Sequence, residues 1–219
     1  MTESSDYRVA FFVSGRGSNF KAVLDKMQHG DIQASPAFVL SNSSLSQALK
    51  TAGDNQIPTY HVSCKTEGNN KGVEKKMLDL IDKYNPQLLV LAGYMKSVPK
   101  KVLKRLPNRV INIHPALLPA FGGQGWYGHF VHEGVIKKGC RYSGITVHLV
   151  NEVYDDGAIL LQKSLSVTPG EGPEELAARV LKLEHTWLWQ VVKGYADGLL
   201  VPEQNKIGGL KSFWQSTLD

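Results

Sequence analysis

Asn112 and His114 stand two residues apart in Asn112-Ile113-His114-Pro115, and an acidic pair, Asp155-Asp156, follows in the polar segment Asn151-Glu152-Val153-Tyr154-Asp155-Asp156-Gly157. In a strand, residues i and i+2 point to the same side, so the amide and the imidazole can converge on one reacting atom. An amide N–H donates to a developing oxyanion, and a protonated imidazole does the same while relaying a proton. A carboxylate set against the imidazole raises its proton affinity and holds its orientation. Spacing leaves open which of Asp155 and Asp156 would do this, and either is equally readable as a solvated turn residue. Together, an amide, an imidazole and a carboxylate suit acyl transfer without a metal or a covalent intermediate. Pro115 and Pro119 stiffen the segment that follows, Ala116-Leu117-Leu118-Pro119.

Other polar residues carry weaker signals. His148, in Thr146-Val147-His148-Leu149, reads as a structural residue of a strand. His129 and His132 are three apart and share a helix face, but no Cys, Asp or Glu set completes a metal site, so no metal is expected. Trp126 and Tyr127 read as anchors of the glycine-rich loop Phe121-Gly122-Gly123-Gln124-Gly125-Trp126-Tyr127-Gly128. The turn Ser14-Gly15-Arg16-Gly17-Ser18-Asn19 opens a helical pattern, and a helix start offers unpaired N–H groups to a phosphate. It lacks the Lys-Ser/Thr ending of a nucleotide P-loop and the three-glycine spacing of a dinucleotide fingerprint, so neither ATP nor NAD is implied. A plain strand-to-helix connection accounts for its glycines equally well.

The elements that must position these residues alternate. Arg8–Val13, Ala37–Leu40, Thr59–Val62, Gln87–Leu91 and Arg109–His114 are apolar runs, separated by helical patterns opening at Phe20, near Leu45, at Val73–Tyr84 and at Val98–Leu106. Strand and helix in alternation imply a parallel sheet with helices on both faces. Leu88–Leu91, without polar alternation, reads as buried on both sides. Past His114 the rhythm changes: a helix around Phe130–Lys138, two strands at Gly144–Val150 and Ala158–Val167 that suit an antiparallel hairpin, then a long helical pattern over Gly172–Asp197 opened by Pro173-Glu174-Glu175. The arm Val201–Asp219 has no assignable place.

At 219 residues the chain suits one α/β domain with a sizeable core. No apolar stretch is long enough to span a bilayer, and Met1-Thr2-Glu3-Ser4-Ser5-Asp6 lacks the order of a secretory signal, so a soluble cytoplasmic protein is expected. Cys64 and Cys140 fit free thiols in a reducing compartment. The net charge of +5 collects in lysine runs such as Lys96–Arg105 and Lys137–Arg141, read as solvated helix faces without the interleaved aromatics of a nucleic-acid platform. A small polyanionic substrate fits better than DNA or RNA, with no membrane partner.

On five groups of residues the chain resembles the phosphoribosylglycinamide formyltransferases, folate-dependent enzymes of purine synthesis. They are Ser14–Asn19, Leu91-Ala92-Gly93-Tyr94-Met95, Asn112–Pro119, Thr146-Val147-His148 with Asp155 seven residues on, and Glu184-His185. The resemblance runs from Val9 to about Leu199. It implies a mostly parallel, Rossmann-like α/β sheet with helices on both faces and an antiparallel hairpin in the C-terminal half. A single domain would hold a phosphate-binding half at about 8–107, a catalytic and folate-binding half at about 108–199, and an arm at 200–219.

The resemblance further implies that Asn112, His114 and Asp155 are catalytic, choosing Asp155 over Asp156. Backbone groups at Gly17, Ser18 and Asn19 would hold the phosphate of glycinamide ribonucleotide, and Glu184 would contact its glycinamide end. Met95, Lys96, Ser97 and Val98, with Asn151, Glu152, Val153 and Tyr154, would line the pocket for 10-formyltetrahydrofolate, which acts as co-substrate. The enzyme would work without metal, as a monomer or weak homodimer. Ala116 stands where many members have Ser, Ala120–Ser143 is longer than in many members, and Lys71 is the nearest counterpart of a basic residue near the folate tail. Two relatives of the same chemistry fit less well: a formyltetrahydrofolate deformylase usually has a further N-terminal domain, and a methionyl-tRNA formyltransferase a further C-terminal one. A phosphosugar-binding module without catalysis is the third alternative.

Overall fold

In strand β1 (Arg8–Val13), Val9, Phe11 and Val13 enter one hydrophobic layer while Ala10 and Phe12 enter another. Strand β4 (Leu88–Leu91) divides in the same way, Leu88 and Val90 against Leu89 and Leu91. Side chains alternate across a strand, so a sheet covered on both faces needs apolar residues at every position. That is the physical origin of the unbroken apolar runs in the sequence.

The computed structural model describes residues 7–203 and 206–217; the polar leader, residues 1–6, lies outside the described residues. Beyond β1 the elements are α1 (Ser18–Gln28), β2 (Ser35–Ser41), α2 (Gln47–Asp54), β3 (Thr59–His61), α3 (Cys64–Glu67), α4 (Asn70–Tyr84), β4, α5 (Lys100–Arg105), β5 (Val110–His114) and α6 (His129–Lys137). They continue as β6 (Tyr142–Leu149), β7 (Ile159–Ser166), α7 (Pro173–Ala196), β8 (Val201–Pro202), β9 (Ile207–Gly208) and α8 (Leu210–Ser216). The short α3, capped by Ser63 and Thr66, has no apolar period and was not foreseen.

Seven strands form one sheet in the order β3-β2-β1-β4-β5-β6-β7. The first five are parallel, β6 runs antiparallel to β5, and β7 pairs antiparallel with β6, giving the expected hairpin. Helices α1, α6 and α7 contribute to the layer on one face, α4 and α5 to the layer on the other. The strand order reverses beside β1, and such a reversal opens a crevice at the carboxyl ends of the strands. Register makes that crevice specific: Phe12 pairs with Leu91 and Leu91 with Asn112, so the chain leaves β1, β4 and β5 side by side. Among the described residues no helix is long and apolar enough to cross a membrane.

The C-terminal arm, unplaced from sequence, has a structural task. Strands β8 and β9 pair as a small hairpin that leads into α8. Phe213 of α8 is buried in the layer of α1 and α7, where a Cβ on Gly194 would lie 2.7 Å from its ring. The Trp214 indole N–H donates to the Leu160 carbonyl at 2.6 Å, and the Lys163 ammonium donates to the Thr217 carbonyl. Strand β7 ends the sheet, and these bonds tie the arm to it. Phe213→Ala is expected to cost about 3 kcal/mol in urea unfolding, the usual range for a buried phenylalanine; a loss below about 1 kcal/mol would show that α8 is not part of the core.

Candidate active site

Strand β5 carries Asn112 and His114 on one side, as its period requires, and β6 brings His148 opposite Asn112. His114 is only 4% exposed. Its Nε2 lies 2.7 Å from the Phe121 carbonyl, which can only accept, so Nε2 carries the hydrogen and Nδ1 is the atom free to exchange a proton. That Nδ1 is 3.5 Å from Oδ2 of Asp155. Burial lowers the pKa of His114 more than Asp155 and the Phe121 carbonyl raise it, so the ring is neutral near pH 7.

Asp155 reaches the imidazole from a backbone with φ 56, a left-handed conformation that aspartate tolerates better than most residues. Its carboxylate takes one hydrogen bond and faces two imidazoles. Oδ2 accepts the Gly123 N–H at 3.0 Å and faces His114, while Oδ1 is 3.5 Å from Nε2 of His148. Burial pushes the Asp155 pKa up, but His148, His114 and the Gly123 N–H together hold it below the usual carboxylate value. Asp156 instead pairs with the Asn151 amide at 3.2 Å in the exposed part of the turn. The geometry thus separates two acids that spacing could not.

His148, read from sequence as structural, faces the site. Its Nδ1 donates to the Leu149 carbonyl at 2.8 Å, leaving Nε2 to accept an N–H from the Asn112 amide at 3.1 Å. The amide nitrogen carries two hydrogens, so one stays available to the cavity. The residue's own neighbours do not show this; the resemblance groups Thr146-Val147-His148 with Asp155, and the β5–β6 register gives the physical reason. The Leu118–Pro119 bond is cis, and the loop after it brings the Phe121 carbonyl and the Gly123 N–H to the histidine and the aspartate. Trp126 anchors this loop, edge-on to Phe121 at 5.2 Å and stacked where a Cβ on Gly134 would lie 2.3 Å away. Tyr127 is less well seated: its ring is half exposed and meets the exposed Phe130 edge-on at 5.4 Å.

At the other end of the crevice, Gly17 caps α1 with φ 74 and no side-chain capping bond, leaving first-turn N–H groups of Ser18 and Asn19 unclaimed by a cap. A side chain at Gly17 would put its Cβ 2.3 Å from the Cβ of Ala48, so both the angle and the contact require glycine. Ser46 and Ala48 fix this turn by donating to the Gly15 carbonyl. Ser14 links it to the next one, donating from Oγ to Asn42 while accepting the Met95 N–H at 2.8 Å. Packing of α7 on α1 brings Glu184 to Asn19, whose amide donates to it at 3.0 Å across 165 residues of chain.

These parts line one cavity of about 1230 Å³. Asn112, His114 and Asp155 lie in it with Gly17, Ser18, Asn19 and Glu184, and so do Met95 to Val98 and Asn151 to Tyr154. Lys71 lies in a neighbouring cavity of about 780 Å³ that shares Asn42, Tyr94, Lys96 and Ser97 with the first. The exposed Lys100 bonds to Glu152 and ties α5 to the 151–155 loop. His132 also lines the main cavity, and burial pushes its pKa down to about 4. His129 pairs with Glu133 at 2.9 Å, and no group of three metal-ligating side chains occurs among the described residues.

The chain matches known proteins over most of its length. The formyl transferase family matches residues 7–192. A chloroplastic phosphoribosylglycinamide formyltransferase of Arabidopsis thaliana is 40% identical over 84% of this chain, which spans 64% of that protein's length. The phosphoribosylglycinamide formyltransferase of Haemophilus influenzae is 34% identical over 90% of this chain and 91% of its own. The crystal structure of glycinamide ribonucleotide transformylase 1 from Symbiobacterium toebii superposes with a TM-score of 0.85 at 30% identity, covering 94% of each chain.

Glu184 offers a test of how the cavity is built. Burial pushes its carboxyl up from 4.5 to about 7, against the Asn19 N–H, which favours the charged form. Below 4.5 the group is neutral in both folded and unfolded chains; between 4.5 and about 7 only the unfolded chain ionises, so stability falls as pH rises through that window. Glu184→Gln should remove this dependence, relieving up to about 3 kcal/mol of the difference between urea unfolding measured near pH 5 and near pH 8. Parallel pH profiles in the variant and the parent would contradict the burial of an ionisable carboxyl here.

Proposed function

The chain belongs to the formyl transferase family, and from that premise we propose that it moves the formyl group of 10-formyltetrahydrofolate to the amine of glycinamide ribonucleotide. The products are formyl-glycinamide ribonucleotide and tetrahydrofolate, in purine biosynthesis. The observation that carries this reading is that Asn112, His114 and Asp155 line the same cavity as the uncapped start of α1 and the 151–155 loop. The ribonucleotide lies with its phosphate on Gly17, Ser18 and Asn19 and its glycinamide end by Glu184. The folate lies against Met95 to Val98 and Asn151 to Tyr154.

The substrate amine attacks the formyl carbon, forming a C–N bond and a tetrahedral oxyanion. The free N–H of Asn112 holds that oxygen, oriented by the bond its partner hydrogen makes to His148. The neutral His114 takes up the amine proton at Nδ1, and the Asp155 carboxylate stabilises the imidazolium. As the bond between the formyl carbon and folate nitrogen breaks, the proton returns to that nitrogen, and the imidazolium can meanwhile support the oxyanion. Both substrates are small molecules, and two free cysteines fit a reducing, cytoplasmic setting.

Folate absorbance followed over time, with and without glycinamide ribonucleotide, tests the proposal. Loss of formyl-folate only when the ribonucleotide is present is expected; loss without it would mean a deformylase in which water replaces the amine, and no loss would mean a binding protein. Asn112→Ala and Asp155→Asn should each lower kcat on the order of a hundredfold, the usual effect of losing an oxyanion donor or its support, while urea midpoints stay near the parent's. Near-normal turnover in either variant would sink the assignment of that residue.

A further inference from the structure

We infer that Arg16 is the specificity residue for the substrate's phosphomonoester: its guanidinium pairs with the phosphate held at the start of α1 and sets the preference for the phosphorylated over the dephosphorylated substrate. The inference rests on the ribonucleotide reading above and names the group that neutralises the ligand's charge.

A phosphomonoester carries roughly −1.5 to −2 charges near neutral pH, whereas a helix start supplies only about half a positive charge. The backbone cradle at Ser18 and Asn19 therefore leaves most of the charge unanswered. Among the described residues, the Arg and Lys side chains that line the cavity are Arg16 and Lys96. Lys96 is shared with the neighbouring cavity, while Arg16 lines the main one alone. Arg16 stands one residue before the Gly17 cap, is exposed, and has no hydrogen bond or ion pair among the described residues. Its planar fork matches two phosphate oxygens, which a lysine cannot do.

A second observation, independent of the helix start, marks this end as a ligand site. Asn19 is 8% exposed and lines the same cavity; its Nδ2 is held by Glu184, while its Oδ1 has no partner among the described residues. A buried acceptor of this kind calls for a donor from a ligand, and a sugar hydroxyl next to the phosphate has that chemistry. On the α7 side of the cavity the exposed acid Glu174 repels a phosphate, which leaves the Arg16 side as the place for it.

The test compares the parent with Arg16→Ala and Arg16→Lys, substitutions at an exposed position that do not threaten folding. The ratio of kcat/KM for glycinamide ribonucleotide over glycinamide ribonucleoside should fall about tenfold in Arg16→Ala, the scale of one charge-assisted hydrogen bond at an exposed site. Ribose 5-phosphate binding, measured by calorimetry without turnover, should weaken by a similar factor, and Arg16→Lys should recover part of both losses. An unchanged substrate ratio overturns the inference, as do equal ribose 5-phosphate affinities in all three proteins or a parent that does not bind it. If the parent transfers no formyl group to the ribonucleotide, the substrate reading falls, and the sugar-phosphate affinities still decide the role of Arg16.

Discussion

A carboxylate taken out of water has to be paired, and the paired carboxylate of Asp155 is the point on which the site depends. Its partners come from three separate segments: His114 from β5, His148 from β6 and the Gly123 N–H from the loop between β5 and α6. Leaving such a charge unpaired costs several kcal/mol, so the charge also fixes where those segments stop. The left-handed backbone of Asp155 is held by the same constraint. Just beyond it, Gly157 is pressed so closely on the Leu149 carbonyl that an added Cβ would lie 1.8 Å away. The turn joining β6 and β7 is thus folded back against the strand that carries His148.

The parallel part of the sheet and its antiparallel extension make different contributions. Strands β1 and β4 are buried on both faces and support turns whose backbone faces the crevice. Strands β5 and β6 pair so that Asn112 opposes His148, and the histidine orients the amide. Strand β6 runs antiparallel to β5, which sets His148 opposite Asn112, and the turn that follows it returns Asp155 to the two histidines. The reversal of strand direction at β6 is therefore part of how the three polar groups meet.

Charge is distributed along the cavity by burial. At one end the unshielded start of α1 and Arg16 favour an anion, while Glu184 resists ionisation because it is 7% exposed. In the middle, a neutral imidazole faces an ionised carboxylate, an arrangement ready to take up one proton. Met95, Val153 and Tyr154, half exposed or more, add apolar lining of the kind a flat, largely apolar co-substrate covers. The opposed shifts of Glu184 and Asp155 follow from their partners: one amide for the first, two imidazoles and a backbone N–H for the second.

The sequence by itself determined the parallel sheet, the two-sided burial of β1 and β4, the C-terminal hairpin and the long α7, because each rests on a hydrophobic period or a cap visible in a short window. It also displayed Asn112 and His114 as a pair, since a strand places i and i+2 on one side. Spacing could not separate Asp155 from Asp156; the resemblance favoured Asp155, and the physical reason lies in the fold, where Asp155 faces the histidines while Asp156 pairs with Asn151. His148 passed for a strand histidine since its role depends on a partner 36 residues away. Tyr127 and Trp126, adjacent in sequence, parted because Trp126 packs on the buried Gly134 of α6 while Tyr127 meets that helix's exposed Phe130. The arm's place over β7 rests on Phe213, whose burial is set by α7 and not by its own neighbours in the chain. Local periods are set by backbone geometry and survive in any context, whereas a polar group's task is set by what long-range packing brings beside it.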